Sequence, residues 1–264
     1  MTEKKAEIAK PIDMDQRRNL RKLSMGSSVN HRKDRTLQLV TFPGIEQIIG
    51  KPNMKAAYEQ VMRNKGAPGV DNVDTMAFKK HLFRNWPTIR DAILNGVYRP
   101  AAVKRVSIPK PGGGQRNLGI PTTTDRCIQQ AVHQALAPLF EAEFSNYSYG
   151  FIKGRSAHDA ILQAREFQAQ GYRWVVDLDL EKFFDNVDHD IVMARVQRKV
   201  KDKRILKLVR AFLNGEVSDQ GKILKQTVGV PQGGPLSPRT QWTLFLGVHR
   251  NDMPHVDLLL DCIY

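Results

Sequence analysis

The chain has 264 residues, 41% of them hydrophobic, which is enough for one large domain or two small ones around a hydrophobic core. Its 41 basic and 27 acidic residues give a net charge of +14, which favours a nucleic-acid partner over a generically soluble basic protein, because a basic surface releases counterions from a phosphate backbone. Two cysteines exclude a disulfide framework and a cysteine-based metal cluster, and no apolar run approaches the ~20 residues that span a bilayer, so we expect no membrane partner.

The first 40 residues are polar and basic, and few of them could pack in a core. This composition predicts a flexible arm that contacts phosphates, with a tail of no specific role as the alternative. The charged N-terminus has no apolar signal core, and the cysteine usage fits a reducing compartment. We therefore expect an intracellular location.

Helical periodicity follows the arm. Apolar residues recur at helical spacing from Ile45 to Arg63, interrupted by Pro52. Residues 64–73 are punctuated by glycine and proline and are predicted to form a loop. The stretch from residue 75 to 96 predicts two short helices, broken before Pro87 and ended by Asn95-Gly96.

A change of period to two predicts a β-hairpin between residues 103 and 120, with three glycines at its tip. Lys110 and Arg116 flank that tip, so the paired strands could bring both cations over one anionic group. A triphosphate is the natural candidate. The alternative is two exposed charges on a hairpin.

The second half of the chain begins with a helix capped by Thr123 or Thr124. Its apolar face is predicted to consist of Ile128, Val132, Ala135, Leu136, Leu139 and Phe140. His133 lies within this helix and is interpreted as structural, not as a ligand. A basic amphipathic region is predicted from Ile191 to Phe212, and its charge run, RKVKDKR, is most simply a solvated helix face.

The segment GYRWVVDLD is typical of a buried strand. Trp174, Val176 and Leu178 share one side of it, and Asp177 and Asp179 share the other. At the strand end, Asp179 would be held rigidly and would suit Mg²⁺, which prefers one or two carboxylates together with substrate phosphates. Five residues on, Phe184 could wall the space beside a bound sugar. The alternative is a capping aspartate followed by core aromatics.

Another candidate is the segment GVPQGGPLSP, residues 229–238. Two glycines after Gln232 let the backbone approach a ligand closely, and the flanking prolines stiffen the loop. Gln232 is suited to hydrogen-bonding a base or a sugar. A rigid turn with no site is the alternative.

Taken in order, five stretches resemble the reverse transcriptases of the group II intron type over roughly residues 50 to 238. They are NKGAPGVD, IPKPGGGQRNLGIPTTTDRCIQQA, SYGFIKGRSAHDA, YRWVVDLDLEKFFDNVDH and GVPQGGPLSP. One departure lies in the third stretch, where the family usually has Arg-Pro and this chain has Ile152-Lys153. The resemblance implies an α+β right-hand polymerase, with helices and the glycine-tipped hairpin in the fingers and an antiparallel sheet in the palm.

The resemblance also implies RNA-templated DNA synthesis with two Mg²⁺ ions, and it assigns roles to individual residues. Asp179 matches the first catalytic metal ligand, and the Leu180 carbonyl is a further candidate ligand. The nucleotide-binding residues are Lys110 and Arg116 for the triphosphate, Phe184 as the gate against a ribose 2′-hydroxyl, and Gln232 in the nucleotide pocket. Template or RNA contacts are expected at Lys65, Gly66 and Arg155.

Beyond Pro238 the likeness stops, and no Tyr-x-Asp-Asp motif or thumb follows in the printed sequence. Asp257 and Asp261 lie four residues apart with leucines between them, and they are poor substitutes for the metal-binding carboxylates of that motif. The organisation we expect is an arm (1–40), fingers (41–172), a partial palm (173–238) and an atypical tail (239–264). We expect the metal site of the palm to be incomplete. We expect RNA, primer DNA and dNTP as partners. The alternatives are a non-catalytic intron-RNA-binding fragment or relic, and a palm completed by a separately encoded palm and thumb fragment.

Overall fold

The computed structural model describes residues 44–109, 113–176, 183–225 and 228–236. The predicted arm, residues 1–40, and the predicted tail, residues 239–264, lie outside this part of the chain. The elements are α1 (Ile45–Ile48), α2 (Lys51–Asn64), α3 (Thr75–Leu94), β1 (Val103–Pro109), β2 (Gln115–Ile120), α4 (Thr123–Glu141), α5 (Ala157–Ala169), a 3₁₀ turn (Phe183–Asp185), α6 (His189–Lys199), α7 (Lys203–Leu213), β3 (Glu216–Asp219) and β4 (Lys222–Lys225).

The predicted interruption at Pro52 is confirmed, because Gly50 separates α1 from α2 and the proline lies in the first turn of α2. Proline is tolerated there because the amide that it lacks would have no helical partner. The neighbouring Asn53 side chain donates to the carbonyls of Ile48, 2.6 Å away, and Ala131, 3.0 Å away. Both helices are thereby held against α4.

The predicted break before Pro87 is wrong, since α3 is one 20-residue helix that passes through it. Phe78 before the proline and Ile93 after it are both buried in the same core. Packing of both halves therefore outweighs the ~3 kcal/mol that an internal proline costs a helix. Asp74 caps the helix by accepting from the Ala77 amide at 2.8 Å.

The described strands form one sheet in the order β2-β1-β3-β4. The predicted hairpin is confirmed, with β1 and β2 antiparallel and Pro109 opposite Gln115 at the tip. A short parallel pairing, Val103 with Val217, joins β1 to β3, which pairs antiparallel with β4. The architecture is the α+β arrangement expected, with α1–α4, α6 and α7 packed around one core to which α5 contributes no buried residue.

Helix α4 provides the centre of that core. Its predicted apolar face is confirmed, with Ile128, Val132, Leu136 and Phe140 buried. The predicted cap is off by one residue, because Thr122 is the N-cap and accepts from the Asp125 amide at 3.1 Å. Three consecutive threonines offer the same hydroxyl chemistry, so sequence alone could not choose among them.

The buried strand predicted at residues 171–179 is not found in its described part, residues 171–176. They have no strand pairing, and the side chains of Trp174, Val175 and Val176 are 95%, 91% and 68% exposed. An apolar strand is buried only where neighbouring strands and helices cover it. No described strand lies beside this segment.

In the charge run at residues 198–204, Arg198, Lys201 and Lys203 are exposed as predicted, but the run spans the junction of α6 and α7 and does not form one helix face. Its other charged residues make contacts. Lys199 pairs with Glu143 at 2.8 Å. Arg204 bonds to Glu46 of the α1 region and to Asp202, whose carboxylate also accepts from the Ile45 amide at 3.1 Å. These charges hold the two helices to the rest of the core.

Acid is expected to weaken this junction through Asp202. The hydrogen bond from Arg204 lowers the pKa of Asp202 to about 2, with the Ile45 amide contributing. A lowered folded-state pKa means that ionised Asp202 stabilises the fold above about pH 4, and that this contribution is lost as the pH falls towards 2. Urea unfolding across this range should show the loss for the natural chain and a smaller one for Asp202→Asn. If the free energy of unfolding depended on pH in the same way in both proteins, this stabilising role of Asp202 would be contradicted.

No helix in the described part of the chain is both long and apolar enough to cross a membrane.

Candidate functional site

Two residues predicted separately as nucleotide contacts meet in the structure. The Arg116 Nε donates to the Gln232 Oε1 at 2.7 Å, and both side chains are half-buried. A second bond joins the backbones, from the Gly119 amide to the Gln232 carbonyl, also at 2.7 Å. The hairpin strand β2 and the loop of residues 229–236 therefore form one surface.

Glycines allow this contact between β2 and the loop. A Cβ on Gly119 would lie 2.5 Å from the Pro231 Cβ and 2.7 Å from the Val103 Cγ1. A Cβ on Gly233 would lie 2.6 Å from the Gly119 carbonyl oxygen. The close backbone approach predicted for the Gln232 loop is thus made to the hairpin.

The same loop is tied to the turn that carries Phe184. The Val230 amide donates to the Phe184 carbonyl at 2.8 Å, and the Gly229 amide donates to the Val187 carbonyl at 2.9 Å. Phe184 packs edge-on against Phe183, with ring centroids 5.5 Å apart. Both rings are half-buried against the core, so the predicted gate residue also has a packing role.

Sequence reasoning missed His189, whose ring bonds to this loop at Gly229. The ring is buried, with Nε2 2.7 Å from the Gly229 carbonyl oxygen and Nδ1 3.1 Å from the Asn214 Oδ1. The carbonyl can only accept, so Nε2 carries a proton. A detectable signal existed, because His189 shares helical spacing with the buried Val192, Met193 and Val196.

The acidic residues after Phe184 lie in a turn and at the start of a helix. Asp185 ends the 3₁₀ turn. Asp188 caps α6 by accepting from the amides of Asp190 and Ile191, at 2.8 and 3.0 Å. Asp190, in the first turn, pairs with Arg210 at 2.6 Å.

The loop predicted to lie near a template is held on α4. Lys65 is exposed and adopts a left-handed conformation, with φ of 45°, where α2 ends. A Cβ on Gly66 would lie 2.2 Å from the Arg126 Nη1, and the Arg126 Nη2 donates to the Ala67 carbonyl at 2.8 Å. Sequence reasoning assigned no role to Arg126.

Arg155 lies apart from these groups, and its Nη1 is engaged by its own neighbourhood. That atom donates to the carbonyls of Ser145 at 2.7 Å, of Asn146 at 3.3 Å, and of Ser148. The guanidinium therefore closes the turn before α5. An RNA contact at Arg155 stays a prediction.

Lys110, Asp179 and Leu180 lie outside the described residues, so their assignments also stay predictions. Within the described ranges, no group of three or more His, Cys, Asp or Glu side chains could hold a metal ion. The described part of the site therefore consists of the hairpin strand, the Gln232 loop, the Phe184 turn and the loop on α4.

Comparison with known proteins places these residues in a wider context. Residues 108–253 match the family model described as reverse transcriptase (RNA-dependent DNA polymerase), so the expectation that the likeness stops at Pro238 is wrong. The chain is 37% identical to Protein YkfC of Escherichia coli over 199 residues, covering 73% of this chain and 52% of that protein. It is 36% identical to the group II intron-encoded protein LtrA of Lactococcus lactis over 186 residues, covering 69% of this chain and 30% of LtrA.

A solved structure described as a partial Cas6-RT-Cas1–Cas2 complex has a similar fold. The superposition has a TM-score of 0.51 at 21% identity, covering 75% of this chain and 33% of that one. This likeness concerns the fold alone. The chain spans about half the length of Protein YkfC and about a third of LtrA.

Proposed function

Because the chain belongs to the reverse transcriptase (RNA-dependent DNA polymerase) family, we propose that it supplies the nucleotide- and template-binding surfaces of an RNA-directed DNA polymerase of the group II intron type. The observation that carries this proposal is the bond between Arg116 and Gln232, 116 residues apart in sequence. Two side chains with the chemistry to hold a phosphate and a base or sugar meet on one surface.

In this proposal Arg116 binds the triphosphate of an incoming dNTP. A guanidinium presents a planar fork of donors that matches phosphate oxygens, and the bond from its Nε to Gln232 fixes the plane of that fork. Lys110, across the hairpin tip, would supply a second charge. Gln232 would contact the nucleotide from the loop, and Phe184 would exclude a ribose 2′-hydroxyl beside it.

The reaction proposed is attack of a primer 3′-hydroxyl on the α-phosphate of the dNTP, releasing pyrophosphate. Asp179 and the Leu180 carbonyl are oxygen donors of the kind that Mg²⁺ prefers. They would hold Mg²⁺, which when bound would supply positive charge to stabilise the attacking and leaving oxygens. The described residues of this chain bind and orient the nucleotide.

The template is proposed to be RNA, lying along the loop that starts at Lys65. The net charge of +14 supports a polyanionic partner, and Lys65 is exposed at the start of this loop. A primer DNA would pair with that template. By analogy with the group II intron-encoded relative, an intron RNA is the proposed RNA partner.

The 264-residue chain alone is expected to bind RNA but to extend a primer negligibly. Its sequence has no Tyr-x-Asp-Asp motif to supply the remaining metal carboxylates. Primer extension on an RNA template with Mg²⁺ should therefore not exceed that of an Asp179→Ala control. RNA affinity, measured by fluorescence anisotropy, should fall steeply with salt because phosphate contacts release counterions.

Two outcomes would contradict these expectations. Extension well above the Asp179→Ala control would refute the predicted inactivity of the chain alone. RNA affinity that is absent at low salt, or insensitive to salt, would refute the template-binding role.

A further inference from the structure

One turn of helix contacts both surfaces described above. The α4 N-terminal turn, defined as residues 122–126, follows directly after β2 and packs beneath the loop of residues 65–73. Two adjacent residues of this turn, Asp125 and Arg126, contact different elements. No role was predicted for either residue from the sequence.

Asp125 holds the base of the hairpin. Its side chain is buried, with Oδ1 accepting from the Tyr98 hydroxyl at 2.8 Å and Oδ2 accepting from the Ala101 amide at 3.1 Å. Oδ2 also accepts from the Thr122 hydroxyl at 2.6 Å. Burial raises the pKa of Asp125, and the hydrogen bonds oppose that rise because they favour the ionised form. The carboxyl thus joins Tyr98 and Ala101, which precede β1, to Thr122, the N-cap of α4.

Arg126 holds the loop. Its Nη2 donates to the Ala67 carbonyl at 2.8 Å and to the Thr123 hydroxyl at 3.1 Å. The Thr123 hydroxyl in turn donates to the Val73 carbonyl at 2.7 Å. Gly69 packs so closely that a Cβ there would lie 2.7 Å from the Thr122 backbone. Both ends of the loop are therefore attached to one turn of α4.

We propose that Asp125 and Arg126 are separate positioning residues, Asp125 for the nucleotide-binding hairpin and Arg126 for the template-binding loop. The assignment of nucleotide and template to these elements rests on the proposed function. The attachment itself rests on the contacts above. Neither residue touches a substrate, and each acts through the backbone that it holds.

Conservative variants separate the two roles. Arg126→Lys keeps the positive charge but loses the planar fork that reaches the Ala67 carbonyl and the Thr123 hydroxyl together. Asp125→Asn keeps the size but places an amide nitrogen opposite the Ala101 amide or the Tyr98 hydroxyl, which then lose an acceptor. Matched controls are Arg63→Lys and Asp91→Asn, because both of those residues are exposed.

Amide hydrogen exchange on the 264-residue chain reads positioning without any substrate. Arg126→Lys is expected to speed exchange in residues 66–73 about tenfold, the factor that corresponds to losing one hydrogen bond, and to leave β1 and β2 unchanged. Asp125→Asn is expected to speed exchange in β1 and β2 and to leave residues 66–73 unchanged. The controls should change neither segment.

Binding measurements then test the functional assignment. With a single-stranded RNA probe, Arg126→Lys should weaken binding about tenfold although the net charge is kept, and Asp125→Asn should not. With a fluorescent dATP analogue and Mg²⁺, Asp125→Asn should weaken binding about tenfold and Arg126→Lys should not. A merely structural role would lower both affinities together with the unfolding temperature.

The two failures are distinguishable. Exchange that changes in both segments for each variant, or in neither, overturns the positioning proposal whatever the chain binds. A natural chain that binds neither probe overturns the proposed function, and the exchange result then judges the attachment alone. The proposal is supported by the full separation of the two variants in exchange and in binding.

Discussion

Replacing Gly229 with alanine is expected to lower the free energy of unfolding by about 2–5 kcal/mol and to abolish nucleotide binding at the Gln232 loop. Gly229 has a φ of +85°, where a side chain costs roughly 1–2 kcal/mol. Its added Cβ would also lie 2.7 Å from the Asp185 carbonyl oxygen and 3.0 Å from that of Phe184, a crowding that costs about 1–3 kcal/mol. Relieving the clash would pull the Val230 amide from the Phe184 carbonyl and shift Gln232.

A matched control separates the crowding from the backbone strain. Gly221, in the turn between β3 and β4, has a φ of +84° but no atom within 4 Å of an added Cβ. Gly221→Ala should therefore cost only the roughly 1–2 kcal/mol of strain and leave nucleotide binding unchanged. Urea unfolding of the two variants measures the difference. Equal losses would show that the loop does not depend on its contact with the Phe184 turn.

Local chemistry in the sequence predicted the residues that meet in this site, although not that they meet. Glycine spacing indicated a hairpin tip beside Arg116, which is present, and a close backbone approach to a ligand after Gln232, where the structure shows a close approach to the hairpin. The distance between the two residues in the chain concealed their bond. Only the resemblance to a known family placed them together, because hydrogen bonds between distant residues leave no periodic signal.

Where sequence reasoning was wrong, tertiary packing outweighed local preference. Pro87 fails to break α3 because the core buries Phe78 and Ile93 on either side of it. The apolar residues around Trp174 are exposed, because an apolar pattern predicts burial only when a neighbouring element is present to provide it. His189 and Arg126 were missed because their partners are backbone carbonyls, which any sequence supplies.

The nucleotide site is expected to lose affinity when either member of its central pair is removed. Arg116→Ala removes a charged donor, and Gln232→Ala removes the acceptor that orients it, so each should weaken dATP binding about tenfold or more. Because the two side chains bond to each other, their effects should not add. A double-mutant cycle should give a coupling of about 0.5–3 kcal/mol. Arg105→Ala is the control, since that hairpin arginine pairs with Asp219 instead.

The most direct measurement is dATP affinity in the presence of Mg²⁺, with the chain bound to an RNA template and a DNA primer that ends in a dideoxynucleotide. We expect the natural chain to prefer the dNTP that complements the template, and Arg116→Ala to lose that binding while still holding the RNA. The account would be contradicted if Arg116→Ala bound dATP as tightly as the natural chain, or if all four dNTPs bound alike.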